Sequence, residues 1–324
     1  MRALLCRQYG PPEHLTLEET ESPKAANGKL VIEVKACGVN FPDTLMIQGR
    51  YQVKPPFPFS PGGEVAGIVK EVGAGITHLK PGDRVFALTG FGGFAEETLA
   101  DGHKTFPLPD GMEYGTAAAL MYTYGTSYHA LKDRANLRAG ETLLVLGAAG
   151  GIGLAAVELG RMMGARVIAA ASTDEKLALC RQAGASDVIN YSRDDLRERL
   201  REITGGQGVD VVCDPVGGDL TEAALRSVSW QGRYLVVGFA AGQIPSIPLN
   251  LPLLKGCSVV GVFWGAFAEK QRADNGNNVQ QLLTFYQQGH IRPHIQVQYP
   301  LEKASQALRE MMNRQVLGKV VITP

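Results

Sequence analysis

Cysteine is scarce in this 324-residue chain, and the five present (Cys6, Cys37, Cys180, Cys213 and Cys257) lie far apart with no Cys-x-x-Cys pair. That excludes a disulfide framework and a structural zinc site of ordinary ligand spacing, and it suits a reducing compartment. An excess of one charge sign is missing too. The 32 basic and 32 acidic side chains balance, and no run of either sign offers a stripe for nucleic acid or an anionic membrane. No apolar stretch reaches the roughly 18 residues that a spanning helix needs. The opening MRALLCRQYG runs straight into strand-like sequence, without the apolar region or cleavage site of a signal peptide, so a cytoplasmic location is expected. Glycine, by contrast, is plentiful: 39 residues, in discrete turns and not in a low-complexity tract.

A chain of this length is expected to form two domains. Its first third reads as short strands, among them KLVIEVKACGV, EVAGIVKEVG and DRVFAL, separated by loops such as VKPPFPFSPGG. This predicts antiparallel, barrel-like β structure. Near residue 115 the pattern changes, and TAAALMYTYGTSYHALKDRA predicts a long helix. Apolar strands then alternate with helices, from TLLVLG and IGLAAVELGRMMG to RYLVVGF and CSVVGVFW. Buried strands spaced by helices predict a parallel sheet covered on both faces. The tail from 267 is too short to fold alone. The expected organisation is an α/β, doubly wound Rossmann domain over 124–266, inserted into a β-rich domain made of 1–123 and completed by 267–324.

The strongest local signal is LLVLGAAGGIG, residues 143–153. Gly147, Gly150 and Gly153 follow an apolar strand and, with Gly151 and Ile152, open an apolar helix. Glycines in that context let a dinucleotide pyrophosphate approach the backbone, where free N–H groups and the helix dipole favour an anion. NAD sites end the next strand with an acidic residue. Here the strand ends at Ala171, followed by Ser172 and Thr173, and Asp174 is explained by the first turn of the next helix. Ser172, Lys176 and, after the following strand, Tyr191 offer donors to a 2′-phosphate, so NADPH is the expected cofactor. Gly238 and Phe239 end a later parallel strand, where such sheets bind ligands, and are expected beside the carboxamide.

CGVNFPD, residues 37–43, looks like a zinc-site motif without its ligand. With SPGGEVAGIV, GAAGGIG, DVVCDPVGG and the closing LGKVVITP, it makes the chain resemble, over essentially its whole length, zinc-free members of the medium-chain dehydrogenase/reductase superfamily, in the quinone oxidoreductase (zeta-crystallin-like) branch. The resemblance implies a GroES-like first domain. Zinc relatives keep a Cys where Asn40 stands and Gly-His-Glu where this chain has Gly62, Gly63 and Glu64, and the cysteine lobe they carry is missing between Val85 and Gly111. No metal is therefore expected. Without zinc, direct carbonyl reduction loses its Lewis acid, but hydride can still be delivered to an already electrophilic carbon, either a quinone or the β-carbon of an α,β-unsaturated carbonyl.

Related enoyl reductases carry an Asn-x-x-Asp…Gly-x-Tyr stretch that matches Asn40, Asp43, Gly49 and Tyr51. The resemblance implies Tyr51 as proton donor, Asn40 and Thr126 beside the nicotinamide, Lys319 among the cofactor-binding residues, and Asp43 as a brace. Two rival readings remain. One is an enoyl-thioester or acryloyl-CoA-type reductase on the same scaffold; the other is a non-catalytic NADPH-binding structural or regulatory protein. The stretch CSVVGVFW is expected at a sheet edge, forming a homodimer through residues 257–264.

Overall fold

Ten residues of continuous strand, Lys29–Gly38, form the spine of the first half of the protein. The computed structural model describes all residues, 1–324. They divide into two units, residues 1–122 with 293–324, and residues 123–292.

In the first unit, β1 (Arg2–Leu5) pairs antiparallel with β2 (Thr16–Glu19), and the spine strand is β3. Helix α1 (Phe41–Met46) follows, then β4 (Glu64–Val72), β5 (Arg84–Leu88), β6 (Glu97–Asp101), β7 (Thr105–Pro107) and the short helix α2 (Tyr114–Ala117). β3 pairs antiparallel with β4 and with β6, and β4 pairs with β5. Leu30, Ile32, Val34, Cys37 and Val39 on and after β3 are buried against Val65 and Val69 of β4 and against Val320 and Ile322 near the C-terminus.

The second unit begins inside the long predicted helix. That stretch is helical but irregular: π-helical turns over Met121–Gly125 and His129–Arg134 flank α3 (Thr126–Tyr128). Then come β8 (Thr142–Leu146), α4 (Gly151–Met162), β9 (Arg166–Ala171), α5 (Asp174–Gln182), β10 (Asp187–Asn190), α6 (Leu196–Ile203), β11 (Val209–Asp214), α7 (Leu220–Arg226) and β12 (Val228–Val236). Helix α8 (Asn250–Lys255), not predicted from the sequence, precedes the edge strand β13 (Ser258–Gly261). The predicted strand CSVVGVFW is shorter than expected, because Trp264 begins α9 (Trp264–Lys270).

The six strands are all parallel, in the order β10-β9-β8-β11-β12-β13. Counted from β8, that is third, second, first, fourth, fifth, sixth, the doubly wound dinucleotide-binding order whose reversal lies between β8 and β11. Helix α10 (Arg272–Gln287) closes the unit. The sequence pattern places it in the returning tail, but Asn278 donates to Asp133 at 2.9 Å and Phe285 packs edge-on to Tyr128 at 5.8 Å, so it packs on the helices of the second unit. No helix is long and apolar enough to cross a membrane.

From residue 293 the chain is back in the first unit. There β14 (Ile295–Pro300), α11 (Ala304–Met312) and β15 (Lys319–Thr323) complete the mixed sheet. β15 runs antiparallel to β3, with Val321 opposite Gly38 and Ile322 opposite Cys37. This pairing carries Lys319 to the end of β3, next to Asn40.

Candidate active site

In the first unit, β3 ends in a polar cluster that is almost completely buried. Glu64 is 0% exposed, Lys319 3% and Asn40 6%. The Lys319 ammonium donates to Asn40 Oδ1 at 2.7 Å, to the Val39 carbonyl at 3.2 Å and to Glu64 Oε2 at 3.2 Å. An ammonium has three protons, so all are engaged. Lys319, expected among the cofactor-binding residues, holds Asn40 here. The Asn40 amide nitrogen donates to Glu64 Oε2 at 3.0 Å and to the Gly38 carbonyl at 3.2 Å. An ammonium on one side and a carboxylate on the other leave a single sensible amide orientation.

Asp43 braces this turn. Its carboxylate accepts from the Asn40 N–H at 2.8 Å and from the Gly62 N–H at 3.1 Å, tying the start of α1 to the glycine pair before β4. Burial pushes the Asp43 carboxyl up to about 7, against the pull of those two amides and of Lys319. A carboxyl raised in the folded state loses stability as it ionises. The loss is absent below its unfolded value near 3.9, grows as pH rises from there to about 7, and is constant above that. Asp43→Asn should therefore gain stability relative to wild type between pH 4 and pH 8, read by urea unfolding. A difference independent of pH would show that Asp43 does not titrate in this range.

Two phenols feel the charge of Asp43. Tyr51 is half-buried against the core, and burial, then the Asp43 charge, raises it above the usual phenol range. Tyr122 is raised well above that range by burial, then by Asp43, Tyr51 and Glu64. Its N–H donates to Glu64 Oε1 at 3.0 Å. A Cβ added at Gly63 would stand 2.8 Å from the Tyr122 hydroxyl, so that oxygen fills the space a side chain at 63 would need. The residues here do not fit a zinc centre: the Asn40 amide is turned toward Lys319 and Glu64, and position 63 has no side chain.

In the second unit, the chain turns sharply after β8. Gly147 has a φ of 57°, in the left-handed region that favours glycine. At Gly153 a Cβ would stand 2.4 Å from the Gly147 carbonyl and 2.6 Å from Ala148 Cα, so only glycine permits this approach of helix to turn. Gly150 caps α4 without a side-chain hydrogen bond, which leaves the first amides of the helix, at Gly151 and Ile152, for an anion. The Ser127 hydroxyl donates to the Ile152 carbonyl at 2.9 Å, holding α3, and so Thr126, against this turn. At the end of β9, Lys176 Nζ donates to Ser172 Oγ at 3.2 Å, and the Tyr191 N–H returns to the Ala171 carbonyl at 3.1 Å. Ser172, Lys176 and Tyr191 therefore gather at one strand end. Asp174 accepts from Asn190, which pairs with Ala171, and from Arg193, so its carboxylate is already engaged near this strand end. Gly238 and Phe239 follow β12, with the Gly238 N–H on the Asp214 carbonyl at 3.3 Å. This donor set and uncapped helix fit a phosphorylated dinucleotide.

The alcohol dehydrogenase GroES-like profile matches residues 26–110, and the zinc-binding dehydrogenase profile matches residues 151–280. Quinone oxidoreductase-like protein 2 of Rattus norvegicus is 39% identical over 99% of this chain and 92% of its own length. The quinone oxidoreductase of the same species is 34% identical, over 99% of this chain and 97% of its own. The chain belongs to the quinone oxidoreductase branch of the medium-chain dehydrogenase/reductase superfamily. Among solved structures, the Escherichia coli quinone oxidoreductase complexed with NADPH superposes with a TM-score of 0.95 at 31% identity, covering 100% of both chains. A mycobacterial protein complexed with NADPH superposes with a TM-score of 0.94, also at 31% identity and full coverage of both chains.

As a member of this branch, the protein has three residues whose roles the sequence did not disclose. Glu64 is the hub of the buried cluster, and its signals were its match to the glutamate of the zinc relatives' Gly-His-Glu and its place at the start of the apolar run EVAGIV. Tyr122 gave no signal beyond its place in LMYTYGTSYH. Asp214 ends β11 and accepts from Val216 and Gly217 amides at 2.8 Å each and from the Tyr234 hydroxyl, fixing the turn below Gly238.

Proposed function

We propose that the protein is an NADPH-dependent, metal-free reductase that transfers hydride to a quinone or to the C=C bond of an α,β-unsaturated carbonyl. The observation that carries this reading is the combination of an uncapped, glycine-lined helix start with a buried Asn40–Glu64–Lys319 cluster in which Asn40 stands where zinc relatives keep a Cys. The named relatives and the NADPH complexes of its structural neighbours support it. NADPH oxidation followed in parallel with a benzoquinone and an enal is the direct test.

Gly147, Gly150, Gly151, Ile152 and Gly153 would hold the pyrophosphate, Ser172, Lys176 and Tyr191 the 2′-phosphate, and Gly238, Phe239 and Thr126 the nicotinamide end. When bound, the cofactor supplies the hydride. The chain supplies the rest. Asn40 is held rigid by Lys319 and Glu64, and Tyr51 protonates the enolate or positions the water that does so. A phenol has a pKa near 10 even before burial, so Tyr51 stays protonated and acts only once a strong base such as an enolate has formed.

Lys176 gives a sharp test of cofactor choice. A charge-assisted hydrogen bond contributes about 1.5–3 kcal/mol, so Lys176→Ala should weaken NADPH binding about tenfold or more and leave NADH binding almost unchanged. Equal weakening of both in fluorescence titrations would remove Lys176 from the phosphate site.

The oligomeric proposal is a homodimer through the β13 edge. β13 is the last strand of its sheet, and Val259, Phe263, Leu253 and Leu254 around it are exposed, Leu253 by 77%. An apolar patch on an open strand edge is an invitation to a symmetry mate. Val262, within the expected 257–264 interface, is buried, so a charge there would test folding instead. Val259→Lys/Phe263→Glu should give monomers in light scattering, while a wild-type monomer at micromolar concentration would refute the dimer.

A further inference from the structure

Tyr122 is the one phenol in the first unit's polar cluster that the mechanism above leaves unused. It lies in the π-helical turn Met121–Gly125, a kind of irregularity concentrated at functional sites. Its backbone is fixed by Glu64 at 3.0 Å. Its hydroxyl lies against the Gly63 backbone, where a Cβ would meet that oxygen at 2.8 Å and the Gly90 carbonyl at 2.9 Å. The Gly63 strand end cannot shift freely, because its carbonyl accepts from the Thr89 and Gly90 amides at 3.0 and 3.2 Å. Tyr122 as a residue keeps some exposure, while its hydroxyl is packed against Gly63, and burial, then Asp43, Tyr51, Glu64 and Cys37, keep it protonated. Both phenols thus feel the charge of one carboxyl, and the Tyr122 hydroxyl stands over a position stripped of its side chain.

Resting on the reductase reading, we propose that Tyr122 is a second substrate-contacting residue, whose hydroxyl donates a hydrogen bond to the carbonyl oxygen of the acceptor while Tyr51 serves the carbon. In an enone, hydride adds to the β-carbon, the C=C pair shifts toward the carbonyl carbon, and the carbonyl pair moves onto oxygen. The Tyr122 hydrogen bond stabilises that oxyanion and its proton stays on the phenol. Tyr51 then delivers a proton to the α-carbon, the C=O bond re-forms, and the Tyr51 phenolate recovers its proton from solvent. This assignment restricts the substrate class to acceptors with an oxygen conjugated to the reducible carbon.

The test is Tyr122→Phe, which keeps the ring over Gly63 and removes only the donor. Loss of one preorganised oxyanion donor typically costs about 10²–10³ in rate. The kcat for an enone should fall by about 10²-fold, with NADPH Kd and Tm at wild-type values. Wild-type kcat in this variant would overturn the proposal. Should the phenylalanine variant prove unstable, 3-fluorotyrosine at position 122 preserves shape and makes a more acidic donor. A severalfold change in kcat supports the contact, and an unchanged kcat overturns it. If wild type oxidises no NADPH with any quinone or enone, the reductase reading itself fails. If wild type turns over and Tyr122→Phe matches it, only the role of Tyr122 fails.

Discussion

Tyr51→Phe should lower kcat for an α,β-unsaturated ketone by about 10²–10⁴-fold, the range that general-acid assistance supplies. Affinity for NADPH should stay near wild type, since the phenol belongs to the first unit and not to the glycine-loop side. The phenol is half-buried against the core, and burial together with Asp43 keeps it protonated. An enolate is basic enough to take that proton, and a hydroquinone anion is stable enough to wait for one from solvent. The loss with a quinone should therefore be distinctly smaller than with the ketone. Equal, near-wild-type turnover on both substrates would reduce Tyr51 to a positioning group.

Lys319→Met should be the most destabilising single change in the first unit's polar cluster. It leaves the Glu64 carboxylate, 0% exposed, without its ammonium. Breaking a buried pair from one side costs about 3–5 kcal/mol, which for a domain of this size means a fall in Tm of roughly ten degrees. Removing both charges removes the uncompensated one, so Glu64→Gln/Lys319→Met should recover part of the loss. A fall of about a degree in the single variant, or no recovery in the double, would show that the cluster is not a charged pair. Cofactor affinity should be less affected than stability, because every Lys319 proton is directed at Val39, Asn40 and Glu64.

The α/β unit was the most legible part of the sequence, because each apolar strand is followed by a helix of ordinary length and punctuation. The glycine loop was legible for the same reason: Gly147 and Gly153 stand where the backbone geometry admits no side chain. Helix α10 was misassigned because its apolar face says that it packs, and not on which unit. The strand predicted to run to Trp264 stops at Gly261, since β-branched and aromatic residues also suit a helix start that is buried, as Trp264 is. In the site, Asn40 and Asp43 could be picked out because they lie within one short motif. The partnership of Asn40 with Glu64 and Lys319 could not, since the hydrogen-bonded atoms lie 24 and 279 residues apart and meet only when β15 closes on β3. The support that Lys319 gives Asn40 was hidden for the same reason. Tyr122 was hidden by the helix around it, where an aromatic residue reads as core.

The central claim is hydride transfer to an electron-poor carbon without a metal. Its most direct test is NADPH oxidation, followed by absorbance, with protein that has been dialysed against chelator and analysed for zinc. A benzoquinone, an enone, a simple aldehyde and an enoyl-CoA would be supplied in parallel. The account predicts zinc well below one atom per chain, full activity after chelation, rapid turnover of the quinone or the enone, and none of the aldehyde. Stoichiometric zinc lost together with activity, or reduction of the simple aldehyde in preference to the other acceptors, would contradict it.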